Sequence, residues 1–311
     1  DWKARKLGRT DLEADVNDLV ILHLRDAFHG RSGYTLSLTN TVPDKIGLFP
    51  KFAWPRVHNP TIEFGPDGGV ANDIVAEEAR ACAEIEAAFA QHGDRIAAIL
   101  LEPLQGEGGD NHFRPEFFRA LRDYADSREA LLIYDEVQTG FFGSGKPWLW
   151  QHHGVAPDIV AFGKKTQVCG IYCSERIDEV EDNVFQFPGR INSTFGGGLM
   201  DMLRCRRFLD IIEAEALGEN ITARGEELLA GLRTVARETG GMDNVRGIGS
   251  LLAFTLPSPV ERDALMQALA QQKVLALKAG PVSIRFRLPL VISADEVREL
   301  LARVRAALVS R

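Results

Sequence analysis

LLIYDEVQTG at residues 131–140 and APDIVAFGKK at residues 156–165 each contain a short apolar run that stops at a charged side chain. Asp135 closes the first run, and Lys164 follows the second, which spans Ile159–Phe162. Short apolar runs of this kind are typical of buried parallel strands, which carry functional groups at the carboxyl edge of their sheet. The two stretches therefore predict that Asp135 and Lys164 lie at the same edge of a parallel sheet.

The segments before residue 131 alternate between strand and helix patterns. Val20–Leu24 and Ile96–Leu101 are apolar runs of strand length, whereas residues 77–89 and 115–126 carry apolar side chains at helical spacing. This alternation predicts an α/β fold with a mostly parallel central sheet and helices on both faces.

The pattern changes after residue 198. It predicts long amphipathic helices at 199–217 and 220–238, a strand at 245–256, a helix at 261–271, a strand at 282–288 and a closing helix at 294–308. We therefore predict a large domain, residues 1–198, and a smaller C-terminal α+β domain, residues 199–311, that includes the linking helix.

Composition excludes some classes of partner. The chain has 311 residues and a net charge of −8, with 36 Lys and Arg against 44 Asp and Glu. This acidic balance gives no electrostatic reason to expect nucleic acid or an anionic membrane as partner. No apolar stretch approaches the roughly 20 residues that span a bilayer. Four cysteines without paired spacing favour reduced thiols and a cytoplasmic location. Targeting is not judged from the first residues, DWKARK, which lack an initiator Met.

Three short motifs do not match the sites they suggest. GEGGD at 106–110 lacks the spacing of a dinucleotide fingerprint, and RGIGS at 246–250 is interpreted as a bend. His152 and His153 have no companion at metal-ligand spacing, so we expect no metal site.

Asp135 and Lys164 are the side-chain types that pyridoxal 5′-phosphate requires. The amine forms a Schiff base with the cofactor aldehyde, and the carboxylate keeps the ring nitrogen protonated, so that the ring withdraws electrons. Alone, the pair would favour a solvated ion pair, but the segments around it favour the cofactor site.

Two loops supply further candidates. In the loop after the first strand, Phe28 could stack on a planar cofactor and Arg31 could hold a carboxylate in a bidentate fork, or they could be a core aromatic and a surface arginine. In INSTFGGG, at 191–198, Asn192, Ser193 and Thr194 precede a glycine run and a helix. This pattern suits an oxygen-binding or phosphate-binding turn, or a plain glycine-rich loop.

RFRLPL at 285–290 places Arg285 and Arg287 on one face of a strand, because strand side chains alternate with period two. One guanidinium could receive an anion while the other forms a structural ion pair.

Together these segments resemble the class III, ornithine-type branch of the fold-type I aminotransferases. The resemblance runs from about residue 18 to the end of the chain, and it is carried by these segments: AFHGRSGYTLSLTN at 27–40, EPLQGEGGD at 102–110, YDEVQTG at 134–140, APDIVAFGKKTQVCG at 156–170, NSTFGG at 192–197 and RFRLPL at 285–290. GKKTQVCG and HGRSGYTLSLTN favour the branch that acts on lysine.

The resemblance implies roles for the strand-end residues. Lys164 matches the Schiff-base lysine, the sixth residue after the Asp of PDIV, and Lys165 is the runner-up because the twin lysine leaves the register open. Asp135 matches the partner of the pyridine nitrogen. Once displaced by substrate, Lys164 is the base that moves a proton between substrate and cofactor, and the pKa of its amine must be lowered for this.

Three more residues are implied to bind the cofactor. Gln138 matches the residue beside the ring hydroxyl, and Phe28 matches the ring that stacks on the cofactor face. Thr194 matches the hydroxyl that reaches the phosphate of the partner subunit's cofactor, so the resemblance implies a homodimer with shared active sites.

The implied reaction is transfer of the ε-amine of L-lysine to 2-oxoglutarate, giving L-2-aminoadipate 6-semialdehyde and L-glutamate. One pocket then receives the alkyl chain of lysine and the α-carboxylate of glutamate at the same place. An unpaired Arg285 is costly to bury against an alkyl chain. Glu107 corresponds to a carboxylate that covers Arg285 for lysine and moves away for glutamate. Arg31 holds the far carboxylate, and Asn192 assists.

Two alternatives remain open at this stage: another ω-aminotransferase, acting on ornithine or 4-aminobutyrate, and an inactive truncated homologue. Family members carry a glycine-rich turn and helix start upstream that cradle the cofactor phosphate, and this sequence shows neither. We therefore expect the chain to be a fragment of a longer protein.

Overall fold

The computed structural model describes residues 1–192, 194 and 196–310. Its first sheet has six strands in the order β2-β1-β3-β4-β5-β6, of which all but β6 run parallel to their neighbours. The strands are β1 (Val20–Leu24), β2 (Arg56–Val57), β3 (Ile96–Leu101), β4 (Leu131–Asp135), β5 (Ile159–Phe162) and β6 (Gly170–Cys173).

Apolar side chains bury this sheet on both faces. Leu22, Ile99 and Leu132 are at most 1% exposed, and they pack in one core with side chains from α4 (Ile74–His92) and α5 (Pro115–Ser127). A second cluster, around Trp2 of α1 (Trp2–Lys6), covers the other face. This sheet confirms the predicted α/β fold. The sequence pattern revealed it because parallel strands that are buried on both faces are apolar along their whole length.

A second sheet follows in the chain, with four antiparallel strands in the order β7-β8-β10-β9. Its strands are β7 (Asp243–Ile248), β8 (Leu251–Thr255), β9 (Leu277–Ala279) and β10 (Ser283–Arg287). The remaining helices are α2 (Gly33–Leu38), α3 (Pro43–Ile46), α6 (Trp150–His153), α7 (Leu199–Ala214), α8 (Leu217–Thr239), α9 (Pro259–Gln271) and α10 (Ala294–Val309). The two sheets lie on either side of residue 198, and the division into domains at that residue stays a prediction.

Local sequence explains where several helices begin. Asp73 accepts a hydrogen bond from the backbone N–H of Ala76 at the start of α4. Ser293 and Glu296 form a reciprocal capping box at the start of α10. These bonds satisfy backbone donors that have no partner inside the helix.

The single strand predicted at 245–256 is wrong. Residues 249 and 250 form a tight turn between β7 and β8, and Gly249 has a φ of 54°, a left-handed value that glycine adopts without a steric penalty. The turn lies inside an apolar stretch, so hydrophobic pattern alone does not reveal it.

Candidate active site

The candidate active site lies at the carboxyl edge of the first sheet. Asp135 is the last residue of β4, and the segments that follow β1, β3 and β5 contribute Phe28, Glu107 and Lys164, respectively. Asp135 lies opposite Ala161 in the parallel pairing of β4 and β5. Lys164 follows three residues later in the chain. The parallel topology therefore delivers both side chains to one edge, as is usual in open α/β sheets.

Asp135 is held by two hydrogen bonds. Its Oδ1 accepts from the backbone N–H of Val137 at 3.1 Å, and its Oδ2 lies 2.9 Å from Nδ1 of His29. The His29 side chain is only 2% exposed. A carboxylate fixed in this way keeps one orientation. His29 was not predicted from the sequence, where its only signal was its place beside Phe28.

Lys164 opens a single 3₁₀ turn directly after β5, Lys164–Thr166, and its φ of 54° is uncommon for a residue with a side chain. Its amine has no hydrogen-bond partner within the described part of the chain. Burial lowers its pKa, while the negative charge of Asp135 opposes the shift. A lowered pKa favours the neutral amine, which is the nucleophilic and basic form.

Lys165 has a different environment from its neighbour. Its Nζ donates to the backbone carbonyl of Gln138 at 2.7 Å. Burial, assisted by the positive charge of Arg287, lowers its pKa to about 8. The charges that act on Lys164 instead belong to the strand-end residues, Asp135 and Glu102 foremost. The geometry thus gives Lys165 a backbone contact and leaves the amine of Lys164 available.

Glu102, at the end of β3, connects two parts of the site. One of its oxygens accepts from the backbone N–H of Phe28 at 2.9 Å, and the other accepts from that of Gly106 at 3.1 Å. Burial raises its pKa to about 7. The side chain joins the Phe28 loop to the turn that carries Glu107. This role was not predicted from the sequence, although Glu102 follows an apolar run just as Asp135 closes one.

Arg285 enters the site from β10 of the second sheet. Its Nη1 donates to Oε1 of Gln138 at 3.1 Å and lies 3.8 Å from Oδ1 of Asp110. Its Nε is buried without a hydrogen-bond partner among the described residues. Arg287 binds the same Asp110 carboxylate through two hydrogen bonds of 2.7 and 2.5 Å. Arg287 therefore has its own anion, whereas Arg285 has only an amide and a share of Asp110.

Glu107 does not pair with Arg285 in this structure. Its Oε1 accepts from Nζ of Lys45 at 2.7 Å and from Oγ1 of Thr41 at 2.8 Å. The Nζ of Lys45 also lies 5.6 Å from the centre of the Phe28 ring. Thr41 precedes the four-residue helix α3 and Lys45 lies in it, in a stretch with no periodic pattern, so the sequence offered no signal for them.

Three predicted residues are exposed. Arg31 makes no hydrogen bond or ion pair with the part of the chain that the structure describes. Asn192 and Thr194 are exposed in the loop before α7. Ser193, between them, lies outside the described residues. The structure therefore does not bring these side chains against Asp135 or Lys164 by any contact that it describes.

His152 and His153 have structural contacts. The Nε2 of His152 lies 3.2 Å from Oγ of Ser144, and the His153 ring stacks on Phe118 with 4.1 Å between centres. Across residues 1–192, 194 and 196–310, no three His, Cys, Asp or Glu side chains are grouped to hold a metal ion. Within those same ranges, no helix is both long and apolar enough to cross a membrane.

Comparison with known proteins identifies the family. The model of aminotransferase class-III matches residues 3–308. L-lysine-epsilon aminotransferase from Mycobacterium tuberculosis is 49% identical over 309 residues, covering 99% of this chain and 68% of that protein. The enzyme of the same name from Amycolatopsis lactamdurans is 46% identical over 313 residues, covering 100% of this chain and 69% of that protein. This chain therefore belongs to the class-III aminotransferase family.

Structural comparison agrees with this assignment. A solved structure described as lysine aminotransferase from M. tuberculosis in the internal aldimine form superposes with a TM-score of 0.93 at 48% identity, covering 100% of this chain and 71% of that one. 4-Aminobutyrate aminotransferases match at lower identity, 33% over 292 residues for the protein from Dictyostelium discoideum. The family's fold-type I architecture is the one described above.

The residues at the sheet edge fit the cofactor of this family, pyridoxal 5′-phosphate. Asp135 has its carboxylate fixed by His29 and Val137, as a partner for a protonated ring nitrogen requires. The amine of Lys164 has no competing hydrogen bond within the described residues. The chain is thus a pyridoxal-phosphate-dependent aminotransferase, and it carries an acid and an amine at the carboxyl edge of its first sheet.

Proposed function

We propose that this chain transfers the ε-amino group of L-lysine to 2-oxoglutarate, giving L-2-aminoadipate 6-semialdehyde and L-glutamate. The observation that carries the proposal is the Lys164 amine, left without a hydrogen bond in the described residues at the same edge as the fixed Asp135 carboxylate. Similarity to lysine aminotransferases over 99% of the chain supports this choice of substrate.

Bound pyridoxal phosphate supplies an aldehyde that takes up the amino group and a ring that withdraws electrons from the substrate. We assign Lys164 as the amine that holds the aldehyde and then moves a proton at its Nζ. Its lowered pKa suits this role, because only the neutral amine accepts a proton. Asp135 would hold the proton on the ring nitrogen of bound pyridoxal phosphate, and Phe28 and Gln138 would hold the ring. The Thr194 hydroxyl would bind the phosphate of the cofactor held by the partner subunit.

The substrate residues divide by charge. Arg285 is buried with an unpaired Nε among the described residues, which suits it to receive the α-carboxylate of glutamate or 2-oxoglutarate. Arg31, which is exposed, is assigned the carboxylate at the far end of either substrate, with help from Asn192. Glu107 is assigned the part of the carboxylate that covers Arg285 when lysine occupies the pocket.

A related amino donor is the second candidate function. Ornithine and 4-aminobutyrate also present a terminal amine, and 4-aminobutyrate aminotransferases are relatives of this chain. They match at 33% identity, against 49% for the lysine enzyme, which favours lysine. The chain spans about two thirds of the length of the lysine enzyme that it matches.

Half-reaction rates test the proposed function. The cofactor-loaded chain is mixed with lysine, ornithine or 4-aminobutyrate, and loss of the cofactor's aldehyde absorbance is followed. We expect lysine to be the fastest donor. If ornithine or 4-aminobutyrate reacts faster, the choice of substrate is wrong, and if no donor reacts, the chain is inactive.

We also propose that the chain works as a cytoplasmic homodimer. Six large apolar side chains on α7 are exposed, which is unusual for a helix that has no partner. They are Leu199, Met200, Met202, Leu203, Phe208 and Leu209. A groove of about 690 Å³ lies beside them, between α7 and the segment after β10. A second subunit placed there would bury this face close to Thr194.

A further inference from the structure

Glu107 lies close enough to Arg285 to influence it, yet it is bonded elsewhere. The turn that carries Glu107 packs on Arg285, since a Cβ built on Gly106 would lie 2.9 Å from Nη1 of Arg285. The negative charge of Glu107 also opposes the lowering of the Arg285 pKa that burial causes. The two side chains therefore share one site without touching.

The cation that does hold Glu107 is Lys45. Its Nζ lies 2.7 Å from Oε1 of Glu107, and the Thr41 hydroxyl donates to the same oxygen at 2.8 Å. The Glu107 side chain is 16% exposed and that of Lys45 is 38% exposed, so the pair is partly shielded from water. The ring of Phe28 adds a face over which the ammonium lies, at 5.6 Å. The Glu107 carboxylate and the Phe28 ring thus both stabilise the Lys45 ammonium in this position.

This arrangement leaves Arg285 without a carboxylate of its own. Its hydrogen bond goes to the neutral amide of Gln138, and the nearby Asp110 is already taken by Arg287. A single Glu107 carboxylate cannot satisfy Lys45 and Arg285 through Oε1 at the same time. The ion pair between Glu107 and Lys45 therefore favours the state in which the Arg285 guanidinium can bind another anion.

We propose that Lys45, assisted by Thr41, determines substrate specificity by holding Glu107 away from Arg285. Lys45 favours the state that receives a dicarboxylate substrate, and loss of Lys45 shifts Glu107 towards Arg285. The inference rests on the proposed function, because it assumes that one pocket serves both a dicarboxylate and an amine whose chain is uncharged at that position.

Lys45→Met is the variant that tests the inference. The full chain loaded with pyridoxal phosphate is titrated calorimetrically with glutarate, a dicarboxylate that cannot react. We expect the glutarate Kd to rise about fivefold, as removal of a partly exposed ion pair predicts, while the lysine half-reaction stays within about twofold. Lys51→Met is the matched control, because Lys51 lies six residues further along the chain and, among the described residues, its Nζ donates to the carbonyl of Ile46. It should leave both values unchanged.

A double-mutant cycle with Glu107→Ala separates this role from a general loss of positive charge. In the Glu107→Ala background, Lys45→Met should have no further effect on glutarate, because the carboxylate that it controls is gone. An unchanged Kd in the single variant, or an equal rise in both backgrounds, would overturn the inference. A chain that binds glutarate as expected but fails to react with lysine would refute the proposed function and leave the Lys45 result standing.

Discussion

At the residue scale, His29 is the side chain on which the position of Asp135 depends. His29→Leu removes the donor to Oδ2, and hydrogen bonds to charged groups contribute about 1.5–3 kcal/mol. We expect the lysine half-reaction to slow by about tenfold or more. Stopped-flow absorbance measures this rate, and His29→Asn, which keeps an N–H donor, should recover part of it.

A histidine elsewhere provides the control. His58 forms a comparable pair with Glu77, 2.5 Å apart and outside the site. His58→Leu should leave the half-reaction unchanged. Equal slowing in the His29 and His58 variants would mean that lost stability, and not the orientation of Asp135, causes the defect.

The lowered pKa of Lys165 predicts that the free energy of unfolding rises with pH in the alkaline range. Burial lowers its pKa to about 8 from the ordinary lysine value of 10.5. Between these two values the unfolded chain binds more protons, so this group makes the folded state more stable as the pH rises. Below about pH 8 the group is charged in both states and its penalty is complete.

Lys165→Met removes this contribution. Between about pH 7.5 and pH 10, the free energy of unfolding of the wild type should increase by about 2 kcal/mol more than that of the variant. Urea titrations of both proteins across this range measure the difference. Parallel curves would show that Lys165 is not held in a buried, charge-disfavouring position.

At the element scale, two glycines of α8 form a matched pair. A Cβ at Gly225 would meet the backbone of Gly249 in the turn between β7 and β8, whereas a Cβ at Gly231 would meet the end of the Leu301 side chain. Backbone atoms move less readily than the end of a side chain, so the clash at Gly225 is harder to relieve than the clash at Gly231. Alanine also favours a helix over glycine by about 1 kcal/mol at both positions.

Gly225→Ala should therefore lower the free energy of unfolding by about 1–3 kcal/mol, and Gly231→Ala should lower it less. Urea unfolding midpoints give the comparison. The opposite order would mean that α8 does not rest on the Gly249 turn as described.

The elements themselves show how far sequence reasoning reaches. β3 and β5 have the predicted bounds, because an apolar run and a polar stop define a buried parallel strand. The β7–β8 hairpin was missed because its turn falls inside an apolar stretch. The partners of Asp135 and Glu107, namely His29 and Lys45, come from the segment between β1 and β2, whose path depends on tertiary packing. Residue types at strand ends were thus predictable, but the contacts that orient them were not.

At the scale of the whole molecule, the exposed face of α7 predicts self-association. Leu203 is 61% exposed on this face, and Leu203→Glu would place a charge in the proposed interface. The dimer Kd should rise by about tenfold or more, because burying an unpaired charge is unfavourable. Size-exclusion chromatography with light scattering measures the mass across a dilution series.

Leu275→Glu is the control, since Leu275 is 96% exposed and lies between α9 and β9. It should leave the dimer intact. A monomeric wild type, or a Leu203→Glu variant as dimeric as the wild type, would contradict the proposed interface.

Trapping pyridoxal phosphate on the protein tests most directly whether Lys164 is the amine that reacts with the cofactor. The cofactor-loaded chain is reduced with borohydride, digested, and mapped by mass spectrometry. We predict that the cofactor is found on Lys164, that Lys165→Ala still traps it, and that Lys164→Ala does not. Cofactor found on Lys165, or on neither lysine, would contradict the assignment of Lys164 as the reacting amine beside Asp135.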